Sequence, residues 1–132
     1  MVFVDSYFYL AILNPRDTGH AAAIEFSVGR TGPMTTTEWV LTEVADGFSR
    51  VYWRERFLNL YDSLLGSPDV TIVSATPELF ARGISLYRSR LDKAWPLTDC
   101  LSFVVMGDLG ISEALTADSH FRQAGFTPLL ET

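Results

Sequence analysis

The sequence predicts an α/β fold built on a central, mostly parallel sheet of four to five strands. Three observations carry that expectation. Val2-Phe3-Val4 is apolar without alternation, as a strand covered on both faces requires. Val70-Thr71-Ile72-Val73 is a second short β-branched run, set between Ser67-Pro68 and Pro77. Elsewhere the pattern switches repeatedly to helical periodicity, and alternating strands and helices imply a parallel sheet with right-handed crossovers.

Each element has its own signal. Asp5-Ser6 leads into a helix over Tyr7 to Leu13, stopped by Asn14-Pro15. Asp17-Thr18 opens a second helix, with Asp17 and His20 at its entry and a turn at Gly29 to Gly32 as its end. Met34 to Thr37 is a β-branched strand, and a helix from Glu38 to about Ala45 follows at once. Arg50 to Leu65 is the longest periodic stretch; its stripe of Trp53, Phe57, Leu60, Tyr61 and Leu64 reads as core, and Gly66-Ser67-Pro68 ends it. Pro77 is suited to the first turn of a helix that runs to Arg90. An apolar helix over Leu97 to Met106 is opened by Thr98 and closed by Gly107 and Gly110. Ala114-Leu115-Thr116 is a fourth strand, Ser119 to Ala124 a short helix capped by Gly125, and Phe126 to Leu130 an edge strand.

The 132 residues, 48% of them hydrophobic, suit one domain spanning 1–132 with a substantial core. No apolar run approaches the ~20 residues of a membrane span, and no basic segment marks an export signal, so a cytoplasmic protein without membrane contact is expected. The lone Cys100 cannot form an internal disulfide and reads as a small buried side chain. A net charge of −6 argues against a nucleic-acid partner unless positive charge is supplied locally.

Four acids stand apart from the solvated majority. Asp5 ends the first strand, at the edge where α/β sheets bind ligands, although an Asp there also suits an N-cap. Glu43 lies in the apolar helix after the second strand, Asp99 in the first turn of the apolar helix, and Asp118 just beyond the fourth strand. Carboxylates on apolar elements are costly unless paired or bound to a cation. An oxygen donor set without His or Cys favours Mg²⁺ or Mn²⁺ over zinc, and such a site suits phosphodiester hydrolysis.

The segments Val2-Phe3-Val4-Asp5-Ser6, Thr36 to Glu43, Leu97 to Phe103 and Leu115 to Phe121 resemble the four signature blocks of PIN-domain ribonucleases, in order and with similar spacing. Lys93-Ala94-Trp95-Pro96 and Gln123-Ala124-Gly125-Phe126 resemble the VapC-type toxins within that family. The resemblance covers essentially the whole chain. It implies a three-layer α/β/α PIN-like fold and a Mg²⁺- or Mn²⁺-dependent endoribonuclease with Asp5, Glu43, Asp99 and Asp118 as its catalytic acidic quartet. Asp5 and Asp99 match the principal metal ligands; Glu43 and Asp118 would complete the shell directly or through water. Ser6 and Thr116 match the hydroxyl residues that flank the quartet, while Tyr7 replaces the Asn or Ser of many members. Arg82, Arg88, Arg90, Lys93 and His120 are candidates for a substrate rim. Two divalent ions would reduce the formal −6 to about −2, so RNA binding would rest on metal bridges and that rim.

The resemblance further implies a toxin of a toxin-antitoxin pair, homodimeric and neutralised by a small antitoxin protein. An RNA-processing nuclease without an antitoxin is the alternative. A non-catalytic signalling or binding module is disfavoured, because a receiver-like domain would need a late Lys and the only one is Lys93.

Overall fold

The computed structural model describes residues 1–30 and 32–131. Its centre is a five-stranded sheet: β1 (Val2–Val4), β2 (Met34–Thr37), β3 (Val70–Val73), β4 (Glu113–Leu115) and β5 (Thr127–Pro128), in the order β3-β2-β1-β4-β5. Every pairing is parallel. β1 is the middle strand and its three residues are completely buried, which is why it carries no alternation. From β1 the chain moves outward to β2 and β3, then returns to the other side of β1 for β4 and β5. The order therefore reverses beside β1, and the crevice at the carboxyl ends of β1 and β4 is where such sheets place a ligand.

Helices flank the sheet: α1 (Ser6–Leu13), α2 (His20–Gly29), α3 (Glu38–Gly47), α4 (Arg54–Gly66), α5 (Pro77–Ser89), α6 (Leu97–Leu109) and α7 (Ser119–Gln123). Among the described residues none is long and apolar enough to cross a membrane. Thr37 starts α3 by accepting the Val40 amide at 3.1 Å, and Thr76 caps α5 through the Leu79 amide at 3.2 Å, with Pro77 in the first turn. The Glu38 carboxylate accepts the Ala75 amide at 2.6 Å and ties α3 to the β3–α5 connection.

α6 is the central helix. Cys100, Leu101, Ser102, Phe103, Val105 and Met106 are all buried along it, and Gly83 of α5 packs directly onto Leu101. Around Phe103, Trp95 and Phe121 stack edge-on at 5.1 and 5.0 Å. The Trp95 indole also donates to Gln123 Oε1 at 3.0 Å, so the two segments that resemble VapC-type toxins meet in space.

Several boundaries differ from expectation. α4 begins at Arg54, not Arg50; a turn closed by Arg50 O precedes it, and Trp53 packs on Phe48 at 5.8 Å. α6 is preceded by Pro96 rather than opened by Thr98, and it runs through Gly107 to Leu109. Gly110 alone closes it, in the left-handed conformation at φ 67°. β4 is shifted to Glu113–Leu115, Ala124 rather than Gly125 is the C-cap of α7, and the edge strand shrinks to Thr127–Pro128. α2 ends at Gly29; the expected turn after it includes residue 31, which lies outside the described residues.

Candidate active site

The strand register explains the first contact in the site. Val4 pairs with Leu115, so Asp5 and Thr116 leave the sheet side by side, and the Thr116 hydroxyl donates to Asp5 Oδ2 at 2.9 Å. The same hydroxyl oxygen accepts the Asp118 amide at 3.0 Å, which links the acid after β1 to the acid after β4. Asp5 occupies the N-cap position of α1, yet its side chain makes no cap hydrogen bond. It is 3% exposed and its Oδ1 is buried with no partner. Asp118, by contrast, is a working cap: its Oδ1 accepts the His120 amide at 2.9 Å.

Asp99, buried in the first turn of α6, meets His120 of α7. His120 Nδ1 is 3.0 Å from Asp99 Oδ2 and 3.3 Å from Asp118 Oδ1. Asp99, Asp118 and His120 each offer a donor atom within 4.8 Å of the others. Glu43, half-buried on α3, is near enough for its charge to act on both Asp5 and Asp99.

Burial raises the Asp5 pKa to about 7; the charges of Asp99 and Glu43 add to the rise, while the Thr116 hydroxyl and the Ser6 backbone oppose it. Asp99 rises to about 6, again chiefly by burial, with the Asp118 and Glu43 charges adding and His120 opposing. Like charges held together out of water favour the neutral acids. A divalent cation would reverse that preference. The unpartnered Asp5 oxygen, together with more carboxylate oxygens than hydrogen-bond donors, fits such an ion better than it fits a structural ion pair.

Asp99 and Asp118 are thus brought together, Asp5 is joined to them through Thr116 with Ser6 next to it, and Glu43 on α3 is near enough for its charge to reach Asp5 and Asp99. His120 sits among the acids instead of on a rim. Nothing in its own sequence neighbourhood singled out the contact with Asp99, 21 positions away; the available hint was its place two residues after a helix-capping Asp. Of the four basic rim candidates, Arg82 is engaged by Asp108 at 2.6 and 2.7 Å. Arg90 is held by Asp92 at 3.0 Å and lies over Trp95. Arg88 and Lys93 enter none of the ion pairs of the described residues. The Tyr7 hydroxyl lies against Gly19 in the α1–α2 connection, and Cys100 is fully buried.

The sequence model of the PIN domain matches residues 2–127. The chain belongs to the PIN domain family. No curated protein matches it by sequence. Among solved structures, this PIN domain is similar to VapC20 of Mycobacterium tuberculosis, a sarcin-ricin loop cleaving toxin, with 24% identity, 100% of this chain and 98% of that one covered, and a TM-score of 0.88. It is also similar to FitAcB of Neisseria gonorrhoeae, with 14% identity, coverage of 97% and 95%, and a TM-score of 0.66.

Proposed function

We propose that this PIN domain is a Mg²⁺- or Mn²⁺-dependent endoribonuclease and the toxin of a toxin-antitoxin pair. The observation that carries the reading is the convergence of Asp5, Glu43, Asp99 and Asp118 at the carboxyl ends of β1 and β4, with Asp5 Oδ1 buried and unpartnered. Asp5, Asp99 and Asp118 would hold the ion, with Glu43 reaching it directly or through water. Thr116 fixes the Asp5 carboxylate and, through the Asp118 amide, the start of α7. An ion held there would supply an acidified water and offset charge on the phosphodiester. Of the rim candidates, Arg88 and Lys93 are the cations left to steer the phosphate backbone.

The likeness to VapC20 supports RNA as substrate and makes a sarcin-ricin loop oligonucleotide the first to try. A small antitoxin and a homodimer belong to the same reading. Between α3 and α4 an apolar groove of about 330 Å³, lined by Leu41, Ala45, Phe57, Leu58 and Tyr61, offers a partner surface.

The test is cleavage of total RNA and of the loop oligonucleotide with Mg²⁺ or Mn²⁺, beside EDTA and an Asp99→Asn variant. Asn keeps the shape of the side chain and removes the charge an ion needs. Discrete products that vanish in both controls are expected; products that persist in EDTA, or no divalent-ion binding at all, would overturn the reading.

A further inference from the structure

His120 adds a nitrogen donor to a site whose sequence promised only oxygen. Its Nδ1 is 3.0 Å from Asp99 Oδ2 and 3.3 Å from Asp118 Oδ1. Two ligands ~2.1 Å from an octahedral ion and at right angles to each other lie about 3.0 Å apart. Both separations are therefore those of neighbouring ligands on one ion. A hydrogen bond has the same length, so distance alone does not decide.

Two further features favour ligation. The backbone of His120 is anchored to Asp118 Oδ1 at 2.9 Å, which fixes where the ring starts. The acids around it are also short of positive charge: Asp5, linked to Asp118 through the Thr116 hydroxyl, has a buried Oδ1 with no partner, and the Asp99 charge bears on Asp5. One imidazole hydrogen bond leaves that deficit in place. A divalent ion between Asp99, Asp118 and His120 removes it.

We infer that His120 Nδ1 is a direct ligand of the divalent cation, together with Asp99 and Asp118, and that this nitrogen biases the site toward Mn²⁺ over Mg²⁺. The inference rests on the proposed metal-dependent reading of the site. Mg²⁺ holds oxygen ligands and water, whereas imidazole suits transition ions. Ligation through Nδ1 leaves the ring proton on Nε2.

Pulsed electron paramagnetic resonance of the metal-free protein loaded with one equivalent of Mn²⁺ tests this directly, because a ligating imidazole couples its ¹⁴N nucleus to the electron spin. The chain has two histidines, and the Nδ1 of the other, His20, is bonded to Ala11 O at 2.6 Å. Wild-type protein should show strong ¹⁴N coupling that disappears in His120→Gln and survives in His20→Gln. Calorimetric titration should show His120→Gln weakening Mn²⁺ by about tenfold and Mg²⁺ by less than about threefold. Bound Mn²⁺ without nitrogen coupling in the wild type would overturn the inference and leave the proposed nuclease standing. Equal losses for both ions would overturn it too, reducing His120 to a positioning residue for Asp99. Failure of Mn²⁺ to bind would overturn the inference, and failure of both Mn²⁺ and Mg²⁺ would take the proposed function with it.

Discussion

A carboxylate that is 3% exposed, with one oxygen on Thr116 and the other on nothing, favours its protonated form in the absence of a cation. The folded-state pKa values of Asp5 and Asp99, about 7 and about 6, both exceed the unfolded value of 3.8. Between those limits the metal-free fold binds more protons than the unfolded chain, so stability falls as pH rises. This contribution is complete below the unfolded pKa and is lost as pH passes through about 6 to 7. Asp5→Asn removes the larger share. Metal-free Asp5→Asn should melt higher than wild type at pH 8, by roughly 3–6 °C if about 1 kcal/mol is recovered, and close to it at pH 4. It should also lose the stabilisation that Mn²⁺ gives wild type at pH 8. Thermal scans at both pH values decide this, and a variant melting below wild type at pH 8 would contradict the account.

At the scale of elements, α6 holds Asp99 in place because α5 packs closely against it. A Cβ at Gly83 would lie 2.8 Å from Leu101 Cγ, and nearer still to one of its methyl groups. Leu101 is 2% exposed, so any shift of its side chain has to be taken up inside the packed interior. Ala gains ~1 kcal/mol over Gly in a helix, but overpacking costs ~1–3 kcal/mol, and here the collision should win. Urea denaturation is expected to find Gly83→Ala destabilised by about 1–2 kcal/mol, with Gly83→Ala/Leu101→Ala less destabilised than the two single changes added together. Strict additivity would mean that the two side chains do not compete for space.

These elements were mostly legible in the sequence. The apolar β-branched runs at Val2 and Val70 and the punctuation at Pro15, Gly66-Ser67-Pro68 and Pro77 mark local preferences, and the observed elements follow them. The misplaced boundaries are tertiary outcomes. Trp53 has helical spacing but is drawn into a packing pair with Phe48, and Gly107 stays helical because Gly110 can adopt the left-handed cap. The same division holds in the site. The sequence singled out the four acids by their positions at strand ends and first turns, and their joint role is part of the proposal. The contact of His120 with Asp99 was not legible, because it depends on α7 folding back against α6, and the double role of Thr116 was not, because it depends on the register of β4 against β1.

For the whole molecule the difficulty is charge. A chain with net charge −6 and 10 basic residues, of which Arg82, Arg90 and Arg122 are engaged by Asp108, Asp92 and Glu131, has little positive field to offer RNA. On the proposed nuclease reading, long-range steering is therefore weak, and affinity would come from the ion and from a few contacts at short range. With two to four phosphates neutralised, the slope of log K against log salt for a single strand should be only about −1.4 to −2.8. Chelation should do more damage than salt, because it removes the ion and restores the repulsion among Asp5, Glu43, Asp99 and Asp118. Fluorescence anisotropy with a labelled RNA, using Asp99→Asn to prevent cleavage and metal-depleted wild type for comparison, measures both effects. Both proteins should bind weakly, and wild type should recover affinity when Mn²⁺ is added back on ice, where turnover is slow. Tight binding by fully chelated wild type would place the RNA on a surface independent of the acidic crevice, and the link drawn here between fold, ion and substrate would fail.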